Sequence, residues 1–338
     1  MPILLGMSIG NNVILYTNKI TKTNKRENLV NDLKSKSAKN DLKGVWKSIQ
    51  LAANLPTKTN TQPNVDEQVI NAENMNKHFC EVGPILNATV PIYNDISFKD
   101  FLPAKNNDCI LNSFNEVSSE MIKSYITSLS SNKAITDQLP LRVIKAILPI
   151  IVHCIRHIVN LSLSTGKFPD TCKLAVVSPI FKGGNQNDPN DYRPISILPI
   201  ISKCIENSVN EQLTDYFESN KLLSIHQYGF RKNHSTTYLT LDMFDKIFDC
   251  KSKGNTPAII FLDIKKAFDT VDHKILIDKL KFYGLDGTVI LWVESYLSNR
   301  KQATKFLGKK VYIFVLSSVS LRVAFLDHYY LVSILMIL

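Results

Sequence analysis

The 338-residue sequence has little of what marks a zinc-clustered, secreted or membrane-spanning protein. Its six cysteines are widely scattered and none has C-x-x-C spacing, which excludes a zinc site built on paired cysteines and favours a reducing compartment. The N-terminus lacks a charged segment ahead of an apolar core. The apolar C-terminal stretch from Tyr329 is shorter than the roughly 20 residues of a bilayer span. We therefore expect an intracellular protein, nuclear or cytoplasmic, with no signal peptide and no transmembrane segment.

Glycine and proline are also scarce, at 12 and 14 residues, and hydrophobic residues make up 44% of the chain. This composition excludes a disordered or collagen-like chain. Lysine and arginine number 40 against 30 acidic residues, for a formal charge of +10. Such a charge suits nucleic acid or an anionic surface, although many soluble proteins reach it without binding either. Over half of the excess lies between Lys19 and Lys47, so we interpret residues 1–65 as a basic helical linker; a solvated surface helix is the alternative.

Hydrophobic periodicity predicts an α+β fold. Apolar residues at helical spacing predict a helix over Asn115–Ser131 with Asn115 as a cap, and one over Leu139–Leu163 with an interruption at Pro149 and an end marked by Gly166 and Pro169. The same spacing predicts helices over Ile195–Phe217, Ile275–Phe282 and Val289–Leu297. Leu174–Phe181 has strand composition and is followed by a Lys-Gly-Gly-Asn turn. The β-branched run Ala258–Asp263 is typical of a buried strand that ends in an acid.

Three segments carry residue types suited to phosphate or metal chemistry: Pro179–Leu198, Gln227–Thr237 and Phe261–His273. Lys182 and Arg193 lie near glycines and turns, where a lysine point charge and an arginine fork can meet phosphates. Asp263 at a strand end could hold Mg²⁺, a hard cation that takes oxygen ligands. Taken singly, these residues are equally well explained as surface charges and as a cap or turn aspartate.

The order and spacing of the three segments closely resemble the reverse transcriptase domain of non-LTR (LINE-type) retrotransposons of the jockey-like sort. The chain reads PIFKGG then DYRPIS, then QYGFRKNHST, then FLDIKKAFDTVDH, where the family has nearly the same residues. The preceding NLSLSTGKFPD also fits, and MNKHFCEVGP fits more loosely. Group II intron and telomerase-type enzymes are the nearest alternative families.

The resemblance implies fingers and a partial palm of a right-hand polymerase over residues 174–310, preceded by a helical region over 66–173. The implied activity is RNA-directed DNA synthesis with an RNA template, a DNA primer, dNTPs and Mg²⁺. Asp263 matches the first catalytic, metal-binding aspartate of the palm, and Ile264 would lend its backbone carbonyl to the metal. Asp269, Asp272 and His273 in the same motif are interpreted as capping or orienting groups of the helix that follows.

Four further residues match nucleotide-contacting positions of the family. Lys182 and Arg193 correspond to the fingers residues that contact the incoming triphosphate. Phe268 corresponds to the aromatic side chain that crowds the sugar 2′ position and favours deoxynucleotides. Arg231, in the GFR segment, is expected to touch template or nucleotide.

The sequence departs from the family near its C-terminus, because it contains no Asp-Asp dipeptide and hence no second catalytic motif. Codons can be chosen for Ser318–Met336 that encode a different peptide when they are read from the third base. That peptide is Gly-Val-Pro-Gln-Gly-Ser-Ile-Leu-Gly-Pro-Leu-Leu-Phe, the family segment expected at this place. We therefore predict a slip of reading frame between about Thr304 and Ser318, with an out-of-frame tail over residues 311–338. A single aspartate cannot hold two divalent ions, so the chain is expected to be inactive. A non-catalytic RNA- or DNA-binding remnant and a helical interaction protein remain as alternatives.

Overall fold

The computed structural model describes residues 30–36, 41, 44, 48–49, 70–89, 97–101, 109–130, 140–263, 266, 269–307 and 309–315. Helices and one small sheet alternate along these residues, which confirms the α+β class. The chain divides into two units, residues 1–63 and 64–338. In the first unit residues 30–36 are helical, and the Lys36 ammonium donates to Asp32 at 2.7 Å and to Ser48 at 2.8 Å.

Seven α-helices form the framework of the second unit's described residues. They are α1 (Ala72–Ala88), α2 (Ser119–Ser128), α3 (Leu141–Thr165), α4 (Ile200–Ser219), α5 (Thr236–Ser252), α6 (His273–Phe282) and α7 (Gly287–Leu297). Side-chain caps begin several of them: Asn71 caps α1, Ser118 caps α2, Ser235 caps α5 and Asp272 caps α6. Gly166, in the left-handed conformation at φ 65°, ends α3 as predicted from the sequence.

A four-stranded sheet brings distant parts of the sequence together. Its strands are β1 (Leu174–Phe181), β2 (Tyr192–Ile197), β3 (Lys301–Phe306) and β4 (Lys309–Val315), in the order β2-β1-β3-β4. β1 is antiparallel to β2 and parallel to β3, whereas β3 and β4 are antiparallel. β4 includes residues 311–315, the first part of the predicted tail; residues 316–338 lie outside the described residues.

The second unit has three hydrophobic clusters among its described residues, of which two are extensive. The larger one is formed by α2, α3, α4, α6 and α7 and has Trp292 at its centre, where the indole donates to the Ser162 hydroxyl at 3.0 Å. The smaller one joins α1 to the sheet, with Met75 and Phe79 packed against Val177, Tyr192 and Phe306. The helical layer and the sheet are therefore stabilised separately, and α1 covers the sheet.

One described helix, α3, is long and apolar enough to cross a membrane by length and composition. Its buried stripe, which includes Leu148, Val152 and Val159, belongs to the larger core cluster. A helix that packs one stripe into a protein core and exposes the opposite side is an ordinary core helix. The buried stripe accounts for part of the apolar character of α3, whose outer face also exposes Ile150 and Leu161.

Several predicted boundaries needed correction. The helix predicted from Ile195 begins at Ile200, because Tyr192–Ile197 pairs with β1 as a strand. The cap of α2 is Ser118, whose side chain accepts from the Met121 amide, and not Asn115. Pro149 lies inside α3 and does not interrupt it. The β1 strand and the turn after it are confirmed.

The prediction of a buried strand over Ala258–Asp263 is wrong. These residues lie in neither helix nor strand, and Ile260, Phe261 and Leu262 are more than four-fifths exposed. A strand is stable only beside a hydrogen-bonded neighbour, and the described sheet does not include this run. The high β-propensity of residues 258–263 therefore did not produce a strand, because no described strand lies beside them.

Candidate nucleotide-binding site

The turn between β1 and β2 is held by one aspartate. The Lys182 amide donates to the Asp191 carbonyl at 2.9 Å, which extends the β1–β2 ladder by one pair beyond Phe181 and Tyr192. The Asp191 carboxylate accepts from the Asn185 amide at 2.7 Å. Gly184 is at φ 103°, and a Cβ added to it would lie 2.3 Å from an Asp191 carboxylate oxygen. The turn therefore needs glycine at 184 and closes around the Asp191 side chain.

Lys182 and Arg193 share one face of this hairpin. Arg193 is the ladder partner of Ile180, and Lys182 follows two residues after Ile180, one position beyond the end of β1 and still hydrogen-bonded to Asp191. Alternation along a strand places residues two apart on the same face, so Arg193 is a diagonal neighbour of Lys182. Both residues are exposed, and the Lys182 ammonium lies 4.0 Å from an Asp191 carboxylate oxygen. Two cations are thus available to an anion at the end of the hairpin.

The segment after Asp263 meets this hairpin. The Lys266 ammonium donates to the Asn190 side chain at 3.2 Å, and the Asp269 amide donates to the Lys266 carbonyl at 2.7 Å. The lysine is at φ 52°, in the left-handed region that non-glycine residues seldom adopt. One hydrogen bond therefore links the two segments that the sequence singled out for phosphate and metal chemistry.

Helix α1 supports this junction from the other side. A Cβ on Gly83 would lie 2.3 Å from the Asp269 carbonyl oxygen, so α1 and the 266–269 turn are in backbone contact. Burial, with a smaller contribution from the Lys266 charge, lowers the pKa of His78 on the same helix. The hydrogen bond from the Asn190 amide lowers the pKa of Asp188 at the opposite rim. The junction therefore favours the neutral form of His78 and the ionised form of Asp188.

Arg231 is engaged inside the protein. Its guanidinium donates to both carboxylate oxygens of Glu218, at 2.9 and 2.7 Å, and to the Ser224 carbonyl at 2.9 Å. Its side chain is 13% exposed. The hydrogen bonds from Arg231 lower the pKa of Glu218. In this structure the guanidinium fixes the loop after α4 to that helix.

Asp263 is exposed and lies at the end of the irregular apolar run, and not at the end of a strand as predicted. Within the described ranges no group of three potential ligands among His, Cys, Asp and Glu is close enough to hold a metal ion. The residues described here therefore do not fit a two-Mg²⁺ centre. Ile264 and Phe268, the predicted carbonyl ligand and sugar contact, lie outside the described residues.

The interpretation of Asp272 as a cap is confirmed. Its side chain accepts from the Lys274 and Ile275 amides at 2.8 and 3.0 Å. Sequence reasoning missed the contributions of Asn190, Gly83 and His78 to the junction. No local signal could have found them, because each makes its contact with a residue far away in the sequence.

Comparison with known proteins finds relatives for the second half of the chain. Residues 181–317 match the family described as reverse transcriptase (RNA-dependent DNA polymerase). The chain is 35% identical over 149 residues to the probable RNA-directed DNA polymerase from transposon X-element of Drosophila melanogaster, and 34% identical over 154 residues to that from transposon BS of the same species. It is 30% identical over 186 residues to the RNA-directed DNA polymerase from mobile element jockey of Drosophila melanogaster. The resemblance read from the motifs is therefore confirmed.

The matches are partial on both sides. They cover 41%, 43% and 54% of this chain, in that order, and 15%, 16% and 20% of the three relatives. The chain thus spans a fifth or less of the length of these relatives. α1, α2 and α3 lie before the segment that matches the family.

Proposed function

Since residues 181–317 are reverse transcriptase sequence of the non-LTR retrotransposon kind, we propose that the second unit is the fingers and first part of the palm of such an enzyme. In this proposal the β1–β2 hairpin belongs to the fingers, and Phe261–His273 is the first catalytic segment of the palm. Its natural substrates are an RNA template, a DNA primer and dNTPs, with Mg²⁺ as cofactor, and Phe268 keeps the nucleotide-contacting role implied by the family. Arg231 would contact template or nucleotide only after leaving Glu218, which holds its guanidinium in this structure.

One observation carries the proposal: the hairpin with Lys182 and Arg193 is joined to the turn after Asp263 by the Lys266–Asn190 hydrogen bond. Two exposed cations on one strand face suit a triphosphate, because lysine supplies a point charge and arginine a bidentate fork. Asp191 closes the turn by hydrogen bonds to the Lys182 and Asn185 amides, which hold the backbone beside the two cations in place. The arrangement supports nucleotide binding at the hairpin end.

We further propose that this chain does not polymerise DNA. Asp263 offers one carboxylate, and the sequence contains no Asp-Asp dipeptide to complete a two-metal centre. The family match ends at residue 317, at the end of the interval from about Thr304 to Ser318 in which the frame slip was predicted, which supports an out-of-frame tail after that residue. Metal-assisted attack of the primer 3′-hydroxyl depends on several carboxylates, of which Asp263 is one.

A primer-extension assay tests this conclusion. The full chain is incubated with an RNA template, an annealed DNA primer, dNTPs and Mg²⁺, beside the Asp263→Asn variant. We expect no extension by either protein above the no-protein blank. Template-dependent extension by the chain that the variant loses would refute the proposal. Sequencing of the locus tests the tail separately, because the third-base frame must encode the Gly-Val-Pro-Gln-Gly segment.

A non-catalytic RNA-binding role is the second candidate, favoured by the exposed cation pair on the hairpin and the charge of +10. Phosphate contacts release counterions, so affinity for single-stranded RNA should fall steeply with salt. Replacing both Lys182 and Arg193 by Ala should weaken binding and reduce the slope of log K against log salt by about 1.4 units, on the basis of roughly 0.7 per contact. The matched control is Lys246→Ala with Lys253→Ala, which also removes two exposed cations, one on α5 and one directly after it. Equal losses in both double variants would assign the binding to net charge alone.

A further inference from the structure

Helix α3 carries two histidines one turn apart, on a side of the helix that the core does not use. His153 and His157 are four residues apart, so their Cβ atoms lie about 5–6 Å from each other along one helix face. Both side chains are exposed. The buried stripe of α3 passes instead through Val152, Ile155 and Val159. The two imidazoles are therefore presented together to solvent.

The orientation of one imidazole is set by helix α2. The Nδ1 atom of His153 lies 3.4 Å from the hydroxyl oxygen of Ser119, a residue that is 8% exposed. In the tautomer in which Nδ1 donates its proton to this hydroxyl, the lone pair of Nε2 is left for a metal ion. Histidines that bind metals commonly have their other ring nitrogen held in this way by a protein group. The contact with Ser119 thus prepares His153 to act as a ligand.

We propose that His153 and His157 chelate one divalent transition metal ion of the class of Zn²⁺, Ni²⁺ and Cu²⁺, through one nitrogen of each ring. Two histidines at i and i+4 on one helix face are the arrangement by which a helix offers two nitrogen ligands to zinc. Imidazole suits these ions, whereas Mg²⁺ takes oxygen ligands. The pair lies before residues 181–317 and is independent of the Mg²⁺ chemistry proposed for that segment.

Two protein ligands make an open, exchangeable site. Among the described residues no third side chain of His, Cys, Asp or Glu completes it. The remaining coordination positions are therefore left to water, unlike a structural zinc site, which has four protein ligands. The ion should consequently be removed by a chelator without unfolding the protein.

Two charges beside the pair act on a bound cation in opposite directions. Glu120, in the first turn of α2, is exposed, and its carboxylate interacts with His153. Hydrogen bonds from its own amide and from Ser118 lower the pKa of Glu120, so the carboxylate is ionised at neutral pH. Arg156 is exposed and directly precedes His157. The carboxylate favours a bound cation and the guanidinium opposes it.

The ion would tie together one turn of α3 close to a weak point of the helix. Pro149 lies inside α3, four residues before His153, and has no amide proton to donate to the carbonyl of residue 145. An ion held by residues 153 and 157 binds the helical conformation and not the unfolded chain, in which the two rings are far apart. Zn²⁺ should therefore raise the melting temperature of the protein.

Calorimetric titration of the full chain with Zn²⁺ tests the pair. His153→Ala and His157→Ala should each weaken Zn²⁺ binding by about tenfold or more, because each removes the gain from a second ligand held close to the first. His226→Ala is the matched control, since it removes an exposed imidazole that has no histidine one turn away. Mg²⁺ should not bind at this pair. Equal affinities in all three variants would refute the proposal.

A second control separates the imidazoles from a thiol. Cys154 lies between the two histidines and is the exposed member of the six cysteines. Cys154→Ser should retain the Zn²⁺ affinity of the parent chain. Loss of binding in this variant, with retention in His157→Ala, would assign the ion to the thiol and overturn the proposal.

Electron paramagnetic resonance of bound Cu²⁺ identifies the ligands directly. In the Cys154→Ser chain with one equivalent of Cu²⁺, we expect hyperfine coupling to two imidazole nitrogens, and to one after a further His153→Ala or His157→Ala substitution. Ser119→Ala removes no ligand, so it should keep the two-nitrogen signal but weaken Cu²⁺ binding by about tenfold. Coupling to a single nitrogen before any histidine is replaced, or unchanged affinity in Ser119→Ala, contradicts the proposed arrangement.

Discussion

At the scale of single residues, the hairpin turn shows how one side chain imposes a conformation on its neighbours. Asp191 closes the turn through its backbone carbonyl and its carboxylate, and Gly184 leaves the space that the carboxylate occupies. The adjacent Gly183 has a similar backbone, at φ 120°, but nothing lies within 4 Å of where its Cβ would be. A side chain at 183 would meet only backbone strain, whereas a side chain at 184 would also collide with Asp191.

Gly184→Ala should destabilise the second unit more than Gly183→Ala does. Both variants place an L-residue at positive φ, which costs about 1–2 kcal/mol. Only the first also pushes Asp191 out of its hydrogen bond, for about 1 kcal/mol more in the free energy of unfolding. Denaturant titration of the two variants measures the difference. Equal losses would show that Asp191 does not hold the turn.

The Arg231–Glu218 pair makes stability depend on pH in the acid range. Because the guanidinium lowers the pKa of Glu218 below its usual value of 4.5, the folded state binds fewer protons there than the unfolded state. This contribution is complete above about pH 5 and is lost as the pH falls through the folded-state pKa. Glu218→Gln should therefore lower stability at pH 7 and flatten the acid limb of the stability curve. If the acid limb is unchanged in that variant, the loss of stability at low pH arises from groups other than Glu218.

At the scale of elements, α1 packs on the sheet and hydrogen-bonds to it, although α1 precedes residues 181–317, which match the family. Asn76, fully buried, accepts from Gln302 at 2.9 Å and from Thr304 at 2.8 Å, both on β3. Helix α1 also packs against β4 and contributes Met75 and Phe79 to the smaller cluster. A polar network inside an apolar interface specifies one register of helix on sheet.

Asn76→Ala should lower the free energy of unfolding by about 1–3 kcal/mol, because it leaves the buried Gln302 and Thr304 donors without their acceptor. Lys77→Ala, at an exposed position of the same helix, is the control and should change stability by less than about 0.5 kcal/mol. Hydrogen exchange of the β3 amides reports the effect locally. Unchanged protection of β3 in the Asn76 variant would mean that the network does not hold α1 on the sheet.

Local sequence signals predicted the elements whose stability is local. The cap at Asp272, the glycine that ends α3 and the strand composition of β1 all act within a few residues. The failures came where distant partners decide the outcome. Tyr192–Ile197 is a strand because β1 lies beside it, and Ala258–Asp263 is irregular because no described strand does. Of the candidate site, Lys182 and Arg193 were identifiable from motifs, whereas the contacts that Asn190 and Gly83 make were not.

At the scale of the whole molecule, the larger cluster explains how an apolar 25-residue helix belongs to a protein core. Leu148→Ala should cost about 2–5 kcal/mol, because Leu148 is 3% exposed and truncation leaves a cavity. Ile150→Ala, two residues away and 78% exposed, should change the free energy of unfolding by no more than about 0.5 kcal/mol. Thermal unfolding of the two variants distinguishes them. Similar sensitivity at both positions would mean that the outer face of α3 is also covered.

The parallel pairing of β1 with β3 has a consequence for synthesis on the ribosome. Leu174 pairs with Lys301, so β1 emerges long before its neighbour has been made. At about 5–20 residues per second the wait is on the order of ten seconds, during which β1 has only β2 beside it. Contacts of such high sequence separation also fold slowly once they are available. The nascent chain therefore carries an open strand edge for more than a third of its translation, and chaperone engagement should be greatest before residue 301 appears.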